Sequence, residues 1–179
     1  MKNTSNVLDF ALALCYIIYV IDDKGKVFPR GVQTMPMTKE NWIYQFAEIE
    51  NWLNSKGYQV VQQTDADDSI LWDTKTVYIN SRNHPETRYY TLLHECGHLL
   101  ISQGAKQWAK DVPMYASVED LRIEKSKAYR VSLVAEEIEA WKRGRRLAKR
   151  FYHHIDNEKY DAQITECVFG YIEMVAIEH

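Results

Sequence analysis

His94-Glu95-Cys96-Gly97-His98 sets two imidazoles four residues apart, with a carboxylate next to the first. On a helix that spacing puts both histidines on one face with Cβ atoms roughly 5–6 Å apart, so each can reach one tetrahedral Zn²⁺ at about 2.0–2.1 Å. Glu95 is turned by about 100° from His94. It stands beside the metal rather than on it, where it can take a proton from a metal-activated water and pass it to a leaving group. In a chain holding six His among 179 residues, the chance expectation for this pattern is on the order of 0.015. The plainer alternative is a pair of helix histidines satisfied by ordinary hydrogen bonds.

Hydrolysis at zinc needs a third protein ligand and an open fourth position. The next long helical pattern runs from about Lys127 to His154. With Leu133 at 0° and about 100° per residue, Leu133, Val134, Ile138 and Trp141, with Gly144 and Ala148, span roughly 0° to 140°. Glu137 falls at about 40°, inside that apolar stripe, whereas Glu136 and Glu139 fall near 300° and 240°, where solvent is expected. A carboxylate on a core-facing stripe is costly unless paired or metal-bound. Glu137 is therefore the expected third ligand, with Glu136 the next candidate and a buried ion pair to an arginine the alternative role for Glu137.

The elements that position these groups are legible around them. Pro85, after Asn83-His84, opens a helix running to about Ser102, and Leu92, Leu93, Leu99 and Leu100 destine it for burial. Before it, Tyr58–Gln62, Ile70–Asp73 and Thr76–Ile79 read as short strands, most economically a small antiparallel sheet, or a mixed one. Thr38 is placed to cap an amphipathic helix carrying Trp42, Ile43, Phe46, Ile49, Trp52 and Leu53 and ending at Lys56-Gly57. Gln103 to Ser126 lacks a sustained period and reads as a connection with one short helix after Ser117. A last helix covers Ile164 to Val175.

Composition sets the frame. Lys plus Arg 22 against Asp plus Glu 25 gives a net charge of −3, which argues against a protein whose main task is coating nucleic acid. The length fits a single domain: a helical N-terminal part at 1–57, sheet and HExxH helix at 58–102, and a connection with C-terminal helices at 103–179. Three widely spaced cysteines, Cys15, Cys96 and Cys167, form no CxxC and point to a reducing, cytoplasmic compartment. The apolar run Phe10 to Ile21 is shorter than the about 20 residues a bilayer requires. It is read as a buried helix passing into a strand at Tyr16 to Ile21, before a turn at Asp23-Lys24-Gly25, with a secretory signal as the second reading.

Tyr90-Thr91-Leu92-Leu93-His94-Glu95-Cys96-Gly97-His98-Leu99-Leu100, following the strand Val77-Tyr78-Ile79-Asn80, resembles the active-site helix of the ImmA/IrrE-like zinc metallopeptidases of phages and mobile elements. Glu137-Ile138-Glu139-Ala140 is similar to the E-x-E-A pattern on the helix that follows in those proteins. The resemblance extends over about residues 70 to 148. Trp141 stands where such proteins often carry Asn or Asp, and Glu137 follows His98 by 39 residues, a long gap. The resemblance implies an α+β, mostly helical, zincin-like domain of gluzincin type, with one Zn²⁺ per chain. It also implies a zinc-dependent endopeptidase acting on a regulatory or partner protein in the cytoplasm.

A donor for the oxyanion of peptide hydrolysis is sought among His153, His154 and Tyr115. Cys96 points away from the metal face, into the core, and Gly97 lets a neighbouring helix come close. Lys142, Arg143, Arg145, Arg146, Lys149 and Arg150 lie largely opposite the apolar stripe and read as a solvated face, with Glu139 able to pair with Arg143. The competing function is a catalytically inactive module of the same fold that binds a protein, or a nucleic acid through those six cations.

Overall fold

The computed structural model describes Tyr19–Ile21, Val27–Pro29 and residues 37–111 and 126–177. The chain divides into two compact units, Met1–Met37 and Thr38–His179. In the first, β1 (Tyr19–Ile21) pairs antiparallel with β2 (Val27–Pro29), Val20 opposite Phe28. Tyr19 to Ile21 is thus strand; the rest of the Phe10–Ile21 run and the Asp23-Lys24-Gly25 turn lie outside the described residues.

The second unit is mostly helical. Helix α1 (Lys39–Ser55) starts with a reciprocal cap: Thr38 Oγ1 accepts from the Asn41 amide at 3.3 Å, and the Thr38 amide donates to Asn41 Oδ1 at 3.0 Å. It ends before Gly57, whose φ of 83° is the left-handed conformation that glycine adopts most readily. Trp42, Phe46, Ile49 and Leu53 of the expected stripe are buried, whereas Ile43 is exposed and Trp52 half-buried, because the buried face is narrower than the apolar pattern.

Three strands follow: β3 (Gln59–Gln63), β4 (Ser69–Leu71) and β5 (Thr76–Asn80), in the order β3-β5-β4. The economical antiparallel reading needs correcting, because β5 runs antiparallel to β4 but parallel to β3, Val61 opposite Tyr78. After β3 the chain crosses to the far side of the sheet for β4, then turns back as β5 between the two. The central strand carries the buried Val77 and Ile79, and burial in the middle of a sheet suits those side chains.

Helix α2 (Pro85–Gln103) carries HExxH, with Pro85 in its first turn and His84 capping it. Tyr89, Tyr90, Leu92, Leu93, Cys96, Leu99 and Ile101 are all buried. Gly104 closes α2, and α3 (Ala105–Asp111) follows at once. The sequence predicts an irregular stretch there; a helix of seven residues, in which Trp108 is buried, is too short to show a period. Residues 112–125, with the expected short helix after Ser117, lie outside the described residues.

Helix α4 (Lys127–Arg150) starts at the Ser126 cap and stops at Phe151, so His153 and His154 are beyond the helix predicted to include them. Helix α5 (Asn157–Ile177) completes the unit. It is fastened to both long helices: Tyr160 Oη donates to the Trp141 carbonyl at 3.0 Å, and Gln163 Nε2 to Thr91 Oγ1 at 3.2 Å.

Two glycines let α2 and α4 approach closely. A Cβ on Gly97 would run into the Ala140 carbonyl, and one on Gly144 would stand 2.5 Å from the Leu93 carbonyl oxygen. Backbone faces backbone at both positions, so no flexible side chain can yield. We expect Gly97→Ala to cost at least about 3 kcal/mol, the upper part of the usual overpacking range, lowering Tm by roughly 6–12 °C for a chain of this size. Thermal denaturation followed by circular dichroism checks this, and an unchanged Tm would contradict the close packing.

Candidate metal centre

One turn of α2 separates His94 from His98, and the close crossing of α2 and α4 brings Glu137 to the same point. His94 Nε2 and His98 Nε2 are 3.1 Å apart; His94 Nε2 is 3.1 Å from Glu137 Oε2, and His98 Nε2 is 3.5 Å from Glu137 Oε1. A tetrahedral ion with ligands at about 2.0–2.1 Å requires donor atoms about 3.3–3.4 Å apart, close to all three separations. Among the described residues this is the one group of three or more His, Cys, Asp or Glu side chains that could hold a metal. His94 and Glu137 are buried, and His98 nearly so.

The electrostatics fit a cation site. Burial raises the Glu137 pKa, but the two imidazoles outweigh it and hold the carboxyl down at about 2. Burial opposes the charge on His98, yet Glu136 and Glu137 outweigh it and push this imidazole up to about 10. Burial lowers the His94 pKa, with Glu137 and Asp68 pulling the other way. Two polar atoms of the cluster lack a hydrogen bond among the described residues: His94 Nδ1, and Glu137 Oε2, which is near His94 Nε2 but out of line for one. A buried carboxylate whose two oxygens each face an imidazole nitrogen, one of them without a hydrogen bond, is explained by a cation that all three side chains would share.

Glu95 is 4% exposed, and burial raises its pKa to about 7, against the pull of His98. Trp141 lies on the ring of His94, centroids 4.4 Å apart and planes 28° from parallel. The indole thus holds by stacking a ring whose Nδ1 has no hydrogen-bond partner among the described residues.

Glu136 departs from expectation. The buried face of α4 includes Ala140 and Leu147, which extends it to about 320° on the wheel, and Glu136 borders it rather than facing solvent. Its Oε1 lies 3.4 Å from His98 Nδ1, on the opposite side of the ring from Glu137. Glu139 is also paired, with Arg143 at 2.9 Å and Arg146 at 2.6 Å.

Two of the expected oxyanion donors, His153 and His154, are engaged away from the cluster. Both nitrogens of His153 are engaged, Nδ1 with Tyr89 Oη and Nε2 with Glu48 Oε2, each at 2.8 Å. The backbone of His154 bonds to the Gln45 side chain in both directions, and its ring packs on Trp42. These two residues tie the end of α4 to α1. Tyr115 lies outside the described residues. Tyr171, on the last helix and absent from the expected donors, is brought to the cluster instead. Its hydroxyl interacts with the Glu137 carboxylate, and burial together with that carboxylate and Glu95 raises its pKa, so it stays protonated. Only the convergence of α5 on α4 could have revealed it.

The cationic cluster is partly neutralised. Arg143 also donates to the Leu100 carbonyl and covers the Trp108 ring, while Arg145 pairs with Asp161. Lys142, Lys149 and Arg150 are exposed. Among the described residues no helix is long and apolar enough to cross a membrane.

Residues 53–113 match the family Peptidase_M78, the IrrE N-terminal-like domain. The chain therefore resembles the ImmA/IrrE-like peptidases. The match covers about a third of the chain and includes both histidines and Glu95, while Glu137 lies beyond it and rests on the geometry above. No curated protein and no solved structure matches the chain.

Proposed function

We propose that this chain is a zinc-dependent endopeptidase in which His94, His98 and Glu137 hold the ion and Glu95 is the general base and acid. The observation that carries the reading is the convergence of two imidazoles and one carboxylate at 3.1–3.5 Å, with Glu137 Oε2 left without a hydrogen bond. A bound Zn²⁺ would supply Lewis-acid polarisation and an activated water. Glu95, next to His94 in sequence and with a pKa of about 7, can accept a proton at neutral pH and return it to a leaving amine. The Tyr171 hydroxyl, held protonated beside Glu137, takes the donor role sought in His153, His154 and Tyr115. The substrate in this reading is a regulatory or partner protein in the cytoplasm, by analogy with the family alone.

Chelation tests the proposal. The purified chain is incubated with an unstructured protein such as casein, with and without 1,10-phenanthroline, and excess zinc is then added back. The expected result is cleavage that the chelator abolishes and zinc restores. Cleavage that persists after the metal has been removed would overturn the reading. Zinc bound without cleavage of casein or of a co-purifying partner would favour the inactive binding module.

A further inference from the structure

The two consecutive carboxylates on α4 reach opposite nitrogens of one ring. Glu137 approaches His98 Nε2 at 3.5 Å, and Glu136 Oε1 lies 3.4 Å from His98 Nδ1. An imidazole can serve a metal with one nitrogen only if the other keeps its proton, and the group accepting that proton's hydrogen bond fixes both tautomer and ring orientation. We propose that Glu136 is the positioning residue of the metal centre: it holds the Nδ1 proton of His98 so that the Nε2 lone pair faces the ion. This rests on the reading of His94, His98 and Glu137 as ligands.

The placement distinguishes Glu136 from a third ligand and from a surface charge. It cannot share the cluster's ion, because its oxygen is on the far nitrogen of the ring. It is not freely solvated either, since its side chain is 28% exposed and that of His98 only 14%. Among the described residues no equivalent group serves His94, whose Nδ1 has no hydrogen-bond partner there and whose ring is held by the Trp141 face. The two ligands are thus oriented by different means, one by an acceptor and the other by stacking. A carboxylate on a metal-bound imidazole also makes the ring a stronger donor. Loss of Glu136 therefore weakens the site even though no ligand atom is removed.

Zinc affinity, measured by competition with a chromophoric chelator, reads this without any substrate. Glu136→Ala should weaken zinc binding by about 10–100-fold, the usual range for such outer partners. Glu136→Gln keeps an acceptor oxygen at the same reach and should stay within a few-fold of wild type. Circular dichroism controls for folding, which a position at the edge of the buried face should not disturb. Wild-type affinity in the alanine variant would overturn the proposal, as would a glutamine variant as weak as the alanine one. A wild-type chain that binds no zinc would refute the ligand assignment itself and this inference with it, an outcome distinct from a wild type that binds tightly and an alanine variant that binds equally well.

Discussion

Glu95→Gln should retain the wild-type zinc content while peptide-bond cleavage falls by roughly 10²–10⁴-fold, the usual contribution of a positioned acid–base group. The two halves of this expectation rest on different atoms. Zinc retention depends on His94, His98 and Glu137, whose mutual distances do not involve Glu95. Loss of cleavage follows because an amide cannot accept the proton that a carboxylate of pKa about 7 takes up at neutral pH. Glutamine has nearly the same shape and fills the same buried volume. It is also neutral, so it removes a group that burial already disfavours in its charged form, and the fold should be preserved or slightly stabilised. Zinc by elemental analysis, Tm, and the cleavage rate of casein measured on one preparation separate the outcomes. Full cleavage in the variant would remove Glu95 from the mechanism. Loss of zinc would instead mean that its carboxylate supports the metal, contrary to its place beside the ligands. A partner-dependent cellular effect that survives the substitution would favour binding without turnover.

How far the sequence revealed this site depended on whether a signal was local. HExxH needs only one helix, and Pro85 and the leucines around it specify that helix. The Thr38 cap and the Gly57 stop are likewise local chemistry. Glu137 was legible because a carboxylate on an apolar stripe conflicts with its surroundings, even though it follows His98 by 39 residues. Glu136 borders the buried face because that face includes Ala140 and Leu147, which the stripe from roughly 0° to 140° leaves out. Ala140 and Gly144 carry the closest helix contacts, so the true centre of the buried face lies nearer the small residues. The parallel pairing of β3 with β5 had no local signal, since strand order depends on which side of the sheet the chain crosses. Tyr171 and the tie between His153, Tyr89 and Glu48 are contacts between distant elements, and periodicity within one helix cannot report them.

Glu137→Ala should lower zinc affinity by more than about 100-fold, beyond the range for an outer partner, because it removes a ligand rather than a group acting through one. Two imidazoles would remain, with Glu136 on the wrong side of His98 to replace the missing oxygen. The pH dependence supplies an independent check. Before an ion binds, His98 titrates at about 10 because Glu136 and Glu137 outweigh the burial that opposes its charge. The proton on Nε2 must therefore leave when zinc arrives. In wild type the apparent zinc affinity should rise roughly tenfold per pH unit through the neutral range and level off as pH approaches about 10, since metal and proton compete for one lone pair. Removing Glu137 takes away one of the two carboxylates that hold the proton, so the levelling moves to lower pH while the maximum affinity falls. Competition titrations with a chromophoric chelator at several pH values measure both quantities together. Undiminished zinc affinity in Glu137→Ala would refute the third-ligand assignment. A loss of affinity with no shift in levelling would mean that Glu136 alone sustains the raised pKa of His98.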